Sequence, residues 1–328
     1  MSDPSHGKPL AVRARGVTRT FGSSDVGVHD LTLDIDTGTV FGFIGPSGSG
    51  KTTTIRLLTG VLAPQAGELT VLGKTPMHFD RSERAQLGYM PQLSVLYPDL
   101  SLWENLGFSA SLFGMRWRGR RQKMMEILDL VELTGARKRR FRDASGGMQR
   151  RLSLAATLVH EPEVLFLDEP TAGIDPVLRR KFWDHFALLR DQGRTIFVTT
   201  QYVGEAAYCD RVGVLAEGRL IAVDTPEGLR RRALGGEVVE LTMSAGVTPA
   251  VLEEMARVAG ATRSERLPGG IARLVVDDAG DVIPQLTTWA AEQAIEIDSI
   301  DQYLPPFDDV FVELINQLSP PSEDADGE

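Results

Sequence analysis

A glycine-rich segment beginning at Gly45 has the residue types and spacing of a phosphate-binding loop. It reads Gly45-Pro46-Ser47-Gly48-Ser49-Gly50-Lys51-Thr52 and fits the pattern G-x-x-x-x-G-K-[ST] at every position. Glycines let backbone N–H groups turn toward phosphate oxygens, and a following helix N-terminus adds a positive dipole. We expect Lys51 to reach the β and γ phosphates and Thr52 to ligate Mg²⁺, with Thr53 next to them. The segment predicts a site for a nucleoside triphosphate with magnesium.

Two adjacent carboxylates form the second chemical feature. Asp168 and Glu169 follow the apolar run Val164 to Leu167, which is typical of a strand. A carboxylate at a strand end can hold Mg²⁺ directly or through water, and a second one beside it can polarise water as a general base. The pair alone is a weak signal, since many strands end in acids. It gains weight from the segment that follows, Pro170-Thr171-Ala172-Gly173-Ile174-Asp175-Pro176.

The elements that must position these residues are strands alternating with helices. Strands are predicted at Thr39–Ile44, Val164–Leu167, Thr195–Thr200 and Arg211–Ala216, with a helix over Lys51–Thr59 after the first. Unbroken apolar strands between helices indicate a mainly parallel sheet covered on both faces. Helical periodicity at Leu102–Ala110, Arg120–Leu133 and Ser145–Val159 predicts a helical subdomain, about residues 93–160, inserted between the two halves of the sheet.

The C-terminal third indicates a second, smaller module. After Gly235-Gly236, a plausible boundary, the pattern predicts strand Glu237–Met243, helix Pro249–Val258, strands Thr262–Arg266 and Ile271–Val276, helix Asp281–Gln293 and strand Ile295–Ile300. That βαββαβ order suggests a ferredoxin-like module. The expected fold is therefore an α/β P-loop NTPase core with an inserted helical subdomain, followed by a small α+β module. Expected boundaries are 10–232, 236–318 and an acidic, disordered tail at 319–328.

Composition bounds the class of protein. The chain has 328 residues, 42% of them apolar, which is enough for a sizeable core. It has neither an apolar run long enough for a bilayer nor a signal peptide at Met1–Pro9, so we expect a cytosolic protein. The net charge of −10 argues against general nucleic-acid binding. Cys209, the single cysteine, suits a reducing compartment and is either a partly buried thiol or, less favoured, a catalytic one.

One stretch departs from this acidic average. Between Arg116 and Arg151 twelve Lys or Arg residues stand against four acids, so the window carries a charge of about +8. It is either a solvated face or a surface that lies near anionic lipid headgroups or an acidic partner.

Three further motifs resemble those of ABC ATPases. The motifs are Ser145-Gly146-Gly147-Met148-Gln149-Arg150-Arg151, similar to the signature; Tyr89-Met90-Pro91-Gln92, similar to the Q-loop; and Gly173-Ile174-Asp175, similar to the D-loop. All motifs occur in the family's order over residues 10–232. The resemblance implies a head-to-tail homodimer that holds two ATP molecules between the P-loop of one subunit and the signature of the other. Ser145 and Gly147 would then meet the γ phosphate in trans.

The resemblance also implies roles for two single residues. Phe21 occupies the family's place for an aromatic that stacks on adenine; the less favoured alternative is an edge-strand aromatic of the core. Gln92 would link γ-phosphate sensing to the helical subdomain and join Thr52 and Asp168 at the metal; a solvent-facing amide is the alternative.

Two positions depart from the family pattern. Ala144 replaces the leucine that usually precedes the signature serine, and Gln201 stands where most members carry a switch histidine. Glutamine donates or accepts hydrogen bonds but cannot carry a proton. We expect Gln201 to position the water or the γ phosphate while Glu169 acts as the base. The alternative is that Gln201 is uninvolved and hydrolysis is lost.

The glutamine, the neighbouring residues and the C-terminal module together resemble the daunorubicin-resistance type of bacterial ATPase. The features that carry this resemblance are Gln201-Tyr202, Glu205-Ala206, Gly218-Arg219-Leu220-Ile221 and Phe307-Asp308-Asp309-Val310-Phe311. The resemblance implies a transport-coupled ATPase at the cytoplasmic face of the membrane, powering export of a small hydrophobic drug or antibiotic through a separate ABC-2 permease.

Other functions stay open at this point. The chain could serve a lipid, polysaccharide or import system, or it could be a non-transport ABC protein or an ATP-dependent regulator. Thr52 and Ser145 are too close for the long coiled coil of chromosome-acting members, and the chain has one cassette rather than the two of ribosome-acting members. Glu169 speaks against a regulator that binds ATP without hydrolysis.

Overall fold

The computed structural model describes residues 9–22 and 26–317. The chain divides into two units, Met1–Val223 and Asp224–Glu328. The division precedes the expected boundary at 232–236, because helix α7 (Pro226–Leu234) contacts α10 (Phe307–Asn316) and so belongs to the second unit. The tail at 319–328 lies outside the described residues.

A six-stranded sheet forms the centre of the first unit. Its strands are β3 (Val40–Ile44), β5 (Leu87–Met90), β6 (Val164–Asp168), β7 (Thr195–Thr200), β8 (Arg211–Ala216) and β9 (Arg219–Asp224), in the spatial order β5-β6-β7-β3-β8-β9. The first five pair in parallel. The expected mainly parallel sheet is confirmed, and the carboxyl ends of β3, β6 and β7 meet at one edge.

Aromatic side chains fix the middle of this sheet. Phe41 and Phe43 of β3, Phe166 of β6 and Phe197 of β7 are fully buried. The rings of Phe41 and Phe197 stack with centroids 5.6 Å apart, and Phe43 and Phe197 lie 5.2 Å apart. Buried aromatic pairs stabilise a core beyond the area they cover. The strands that end at the chemical residues are therefore held rigidly relative to one another.

A second, antiparallel sheet covers the same core. It contains β1 (Leu10–Thr20), β2 (Gly27–Asp36) and β4 (Ala66–Val71) in the order β2-β1-β4. Its apolar residues belong to the same cluster as those of β3, α1 (Lys51–Leu58) and the aromatic strands. A short helix, α2 (Arg81–Ala85), leads into β5.

Three helices lie between β5 and β6 in the chain. They are α3 (Leu102–Leu112), α4 (Trp117–Leu130) and α5 (Gly146–Leu158), and they contact one another. Two of them begin at a side-chain cap: Ser101 and Glu104 form a capping box at α3, and Ser145 accepts from the Met148 N–H at α5. α6 (Pro176–Asp191) follows β6, with Asp175 as its N-cap. The sequence placed the three inserted helices correctly to within three residues at each end.

The second unit contains the βαββαβ order expected from the sequence. Its elements are α7, β10 (Glu237–Thr242), α8 (Pro249–Ala259), β11 (Arg263–Leu267), β12 (Ile271–Val276), α9 (Ala279–Glu292), β13 (Ser299–Tyr303) and α10. The strands form an antiparallel sheet in the order β11-β12-β10-β13, the ferredoxin-like arrangement. Residues of α8 and α9 pack on one face of it in a single cluster. The last strand starts four residues later than predicted.

Among the helices described, none has both the length and the apolar content needed to span a membrane.

Cys209 lies beneath β3 and is 6% exposed. A Cβ atom on Gly42 would lie 2.6 Å from its sulfur, so the thiol fills the space this glycine leaves. Burial raises the pKa of the Cys209 thiol. The buried-thiol interpretation therefore fits, and a nucleophile does not.

Candidate nucleotide-binding site

The loop from Gly45 to Gly50 joins the end of β3 to the start of α1. A Cβ atom at Gly45 would lie 2.2 Å from the carbonyl oxygen of Leu215, so the loop has no room there for a side chain. Gly50 is the N-cap of α1 with φ 105°, a conformation that favours glycine, and Gly27 O would lie 2.7 Å from a Cβ on it. These glycines place the loop at the N-terminus of α1, toward which the first N–H groups of the helix are directed. This arrangement suits an anion.

Lys51 is the first residue of α1 and is 6% exposed. Its Nζ donates to Gly45 O at 2.7 Å and to Pro46 O at 2.9 Å. Burial lowers the pKa of Lys51, and the nearby carboxylates of Glu169 and Asp168 oppose this shift. The ammonium thus lies inside the loop, beside both predicted carboxylates.

Asp168 is the point at which β6, β7 and α1 meet. Its Oδ2 accepts from Thr52 Oγ1 at 2.8 Å, and its Oδ1 accepts from Thr199 Oγ1 at 2.6 Å. The carboxylate is 1% exposed. Oxygen donors from one carboxylate and one hydroxyl match the way Mg²⁺ is held beside nucleotide phosphates. The residues present therefore fit a magnesium–nucleotide site.

Glu169 turns away from the strand it follows. Its φ is 53°, an uncommon value for a residue with a side chain, and its N–H donates to the backbone oxygen of Thr199 at 3.0 Å. Gln92 Nε2 donates to Glu169 Oε2 at 3.4 Å. Backbone strain of this kind occurs at functional sites, where surrounding contacts hold it. The Q-loop amide and the predicted base are thus brought together.

Arg150 is a site residue that the sequence did not single out. Its guanidinium donates to the backbone oxygens of Gln92, Asp168 and Glu169. Burial lowers the pKa of Arg150, an effect opposed by the two neighbouring carboxylates. On the sequence it is one cation among many in the basic window. Its position inside the signature motif, directly after Gln149, was the available signal.

Gln201 follows the last residue of β7 and is exposed. Because Ile44 pairs with Thr200 in the parallel register, Gln201 and Gly45 follow paired residues at the same edge of the sheet. Buried Glu205 fixes the loop after it: Glu205 Oε2 accepts from Thr200 Oγ1 at 2.6 Å and from Thr171 Oγ1 at 3.0 Å. On the sequence Glu205 was noted only as part of the family resemblance and was given no structural role, because a glutamate is usually a surface residue.

Arg179 joins the same loop to the D-loop. Its Nη2 donates to Ile174 O at 3.2 Å, and its Nε lies 3.6 Å from Glu205 Oε1. Its guanidinium also lies over the Tyr202 ring, 4.5 Å from the centroid. The D-loop and the residues after Gln201 are therefore connected through one side chain of α6.

The signature residues start α5 rather than entering the P-loop. Ser145 is the N-cap, and the exposed Gly146 is the first helical residue. Gln149 Nε2 donates to Phe141 O at 3.1 Å and to Ala144 O at 3.2 Å, so in this chain it supports the turn before the helix. Within residues 9–22 and 26–317, Ser145 and both glycines make no hydrogen bond to the P-loop of the same chain.

Phe21 lies just beyond the end of β1 and is 39% exposed. Its N–H donates to Val26 O at 3.0 Å, and Arg19 lies over its ring, 5.3 Å from the centroid. The adjoining Gly27 abuts Gly50 of the P-loop. The ring is thus not a buried core aromatic.

A comparison with known sequences identifies the family. A model described as ABC transporter matches residues 28–172. The daunorubicin resistance ATP-binding protein DrrA2 of Streptomyces coeruleorubidus is 34% identical over 93% of this chain and 94% of its own length. The chain belongs to the ATP-binding proteins of ABC transporters.

Two further relatives match a shorter part of this ABC ATP-binding chain. The probable multidrug ABC transporter ATP-binding protein YbhF of Escherichia coli is 37% identical over 71% of this chain, which spans 40% of the length of YbhF. The linearmycin resistance ATP-binding protein LnrL of Bacillus subtilis is 34% identical over 74% of this chain and 77% of its own length.

Solved structures agree with the fold. An ATP-binding subunit of an ABC transporter aligns with a TM-score of 0.63 and 25% identity over 68% of this chain and 92% of its own. A dimeric bacterial ABC transporter cassette aligns with a TM-score of 0.61 and 25% identity over 65% of this chain and 98% of its own. The expected P-loop NTPase fold of the ABC ATPase type is confirmed.

Proposed function

We propose that this protein binds and hydrolyses ATP as the engine of an ABC-2 type transporter, exporting a small hydrophobic drug or antibiotic through a separate permease. The observation that carries hydrolysis is the convergence of Lys51, Thr52, Asp168 and Glu169 at one sheet edge. Support for export comes from a relative named for daunorubicin resistance, whose similarity covers both units rather than the cassette alone.

The P-loop binds the triphosphate. The backbone N–H groups of residues 45–53 surround the phosphates; Pro46, which has no N–H, only shapes the turn. Lys51 leaves its carbonyl partners and neutralises the β and γ oxygens. Thr52, Asp168 and Gln92 would hold the magnesium ion, which neutralises charge developing between the β and γ phosphates. Phe21, whose side chain is 39% exposed, stacks on the adenine face.

Glu169 takes the proton of the attacking water. Its carboxylate lies beside Gln92, and its backbone is fixed by Thr199 and Arg150, so its position does not depend on the flexible side chain alone. Gln201 orients the water or the γ phosphate by hydrogen bonding, because an amide cannot shuttle a proton. The catalytic set is Glu169, Lys51 and Gln201.

A second copy of the chain completes the site. Ser145, Gly146 and Gly147 stand at the N-terminus of α5, a 13-residue helix whose first N–H groups suit an anion. In the ATP-bound homodimer they face the γ phosphate held by the partner's P-loop. Gln149 acts there through the turn that it supports. The homodimer works at the cytoplasmic face of a bacterial membrane, bound to the permease.

The substitution Glu169→Gln tests hydrolysis. It keeps shape and the contact with Gln92 but removes the base, so turnover falls by about 10²- to 10⁴-fold while ATP binding persists. The variant accumulates as an ATP-bound dimer, measured by size-exclusion chromatography with light scattering. Unchanged turnover in Glu169→Gln would refute the role of the base, and a wild-type chain that cannot bind Mg-ATP would refute the function altogether.

Export is tested separately. The reading frames adjacent to this gene are examined for an apolar six-helix permease, and the pair is expressed in a drug-sensitive bacterium. We expect resistance to one or more hydrophobic antibiotics that Glu169→Gln abolishes. An adjacent substrate-binding protein, with uptake in place of resistance, would contradict export and leave the ATPase assignment intact.

A further inference from the structure

The basic window between Arg116 and Arg151 is not neutralised by the fold. Among the described residues, only three of its twelve cations lie within 4 Å of a carboxylate: Lys123, Arg142 and Arg151. Arg150 is used inside the nucleotide site. Six further cations of the described residues are exposed and have no carboxylate within 4 Å: Arg116, Arg118, Arg121, Lys138, Arg139 and Arg140. We call these six residues the basic surface.

The placement of these charges opposes local helix stability. Arg116 is the N-cap of α4, whose start is interrupted by non-helical backbone angles at Arg118 and Gly119, and Arg121 lies in the first turn after this break. No acid is present among residues 116–125. Cations at a helix N-terminus meet the positive end of the helix dipole, which is unfavourable. A structural role would favour acids at this position. An external anion, in contrast, would gain from both the side chains and the dipole.

A concave surface adjoins these cations. A cavity of about 1060 Å³ between α3, α4 and the segment after α4 is lined by Arg121, Lys138 and two further arginines. Those two, Arg120 and Arg137, already donate to backbone oxygens, so they shape the wall. Glu104 is the one acid in the lining, and its carboxylate is engaged in the capping box with Ser101. The free charge facing the cavity is therefore positive.

Apolar side chains interleave with the charges. Trp117 lies between Arg116 and Arg118 and is 91% exposed, the largest exposed fraction among the large hydrophobic side chains described. Trp103, Met124 and Met125 also line the cavity. Exposed tryptophan beside Lys and Arg is the composition of surfaces that rest at a membrane interface, where the ring occupies the headgroup level. A purely acidic protein partner would not require it.

We propose that the basic surface binds the phosphates of anionic phospholipids in a bilayer, with Trp117 inserted among the headgroups. Arg121 and Lys138 bind the headgroup that occupies the cavity, while Arg116, Arg118, Arg139 and Arg140 attract the surrounding negative surface. The contact adds a lipid-dependent attachment to that made by the permease. It is independent of ATP hydrolysis.

The test uses the purified full chain without permease and sedimentation with vesicles of phosphatidylcholine, alone or with 30% phosphatidylglycerol (about one anionic lipid in three). Binding is expected only to the anionic vesicles and to weaken when NaCl is raised. The pair Arg121→Gln with Lys138→Gln weakens binding about 30-fold, since each cation near the surface contributes about fivefold. The matched control, Arg232→Gln with Arg263→Gln, removes two exposed cations elsewhere and leaves binding unchanged.

Further readouts separate the sources of binding. Bromine-labelled lipid is expected to quench the tryptophan fluorescence of the wild type more than that of Trp117→Phe. Soluble glycerol phosphate at the same phosphate concentration is expected not to displace the protein from the vesicles. Equal loss in both variant pairs, equal binding to uncharged vesicles, or no vesicle binding would each overturn the proposal; in the last case an acidic protein is the partner. Solution ATPase activity persists in Arg121→Gln with Lys138→Gln, so failure here is distinct from failure of the hydrolytic function.

Discussion

Removing the carboxylate of Glu205 should loosen the loop that carries Gln201. The side chain is 3% exposed and accepts hydrogen bonds from Thr200 and Thr171, while Arg179 lies 3.6 Å away. In Glu205→Ala both hydroxyls lose a charged acceptor inside the protein, and each such bond contributes about 1.5–3 kcal/mol. The ion pair adds less, about 0.5–1 kcal/mol, because Arg179 is a quarter exposed and screened. The variant is expected to be less stable by about 4–7 kcal/mol.

Calorimetry and kinetics measure this prediction together. Stability is taken from the endotherm that Mg-ATP shifts, since that transition belongs to the unit that binds the nucleotide. Turnover should fall about 10- to 100-fold with a smaller change in KM, because a misplaced Gln201 affects the transition state more than ground-state binding.

Double-mutant cycles provide the decisive comparison. The coupling of Thr200→Val with Glu205→Ala should exceed the coupling of Arg179→Ala with Glu205→Ala, following the burial of the two contacts. If the stability losses of Thr200→Val and Glu205→Ala were additive, or if the Arg179 coupling were the larger one, the buried hydroxyl bonds would not be what fixes the loop.

Three further predictions concern single contacts. Gly45→Ala places a methyl group 2.2 Å from a backbone oxygen of β8, so ATP affinity measured with a fluorescent analogue falls at least about tenfold, whereas Gly135→Ala, in open space, has no effect. Thr199→Val removes a 2.6 Å bond to buried Asp168 and raises the Mg²⁺ concentration needed for half-maximal hydrolysis about tenfold or more; an unchanged requirement would contradict it. Burial lowers the pKa of His160, so the unfolded chain binds a proton at higher pH than the folded chain, and stability falls as the pH drops below about 6.5. Between pH 7.5 and 5.5 the melting temperature of His160→Gln should therefore fall less than that of the wild type. An equal fall in both proteins would show that His160 is not responsible.

Sequence periodicity located the central strands because their burial is continuous. The bounds of β7 and β8 agree with prediction, since each is an apolar run between polar residues. The strand predicted at Ile295–Ile300 is found at Ser299–Tyr303, because Ile295 and Ile297 pack on the core from a connecting segment. Apolar content alone does not distinguish a strand from a loop that covers a core. The antiparallel sheet of β1, β2 and β4 was not predicted, since irregular register interrupts the alternation of β1.

The candidate site divides in the same way. The P-loop and the Asp168–Glu169 pair were found because their chemistry requires a fixed local spacing. Arg150, Thr199 and Glu205 act through contacts between elements far apart in the chain. Arg150 and Glu205 belong to motifs that the sequence shows, but the local pattern does not reveal which groups their side chains contact. The contacts around Glu169 become visible only when β6, β7 and α5 are placed together.

The grouping of α7 with the C-terminal unit determines where the two halves of this protein can be exchanged with those of a relative. Leu229 and Ala233 of α7 are buried, and Gln317 Nε2 donates to Ala233 O at 2.8 Å across to the end of α10. A chimaera joined at the double glycine after α7 would leave Val310 and Leu314 of α10 without their native neighbour helix. Recombination just before Thr225 keeps both helices of the pair from one parent, so hybrids made there retain a complete apolar interface in the transplanted half.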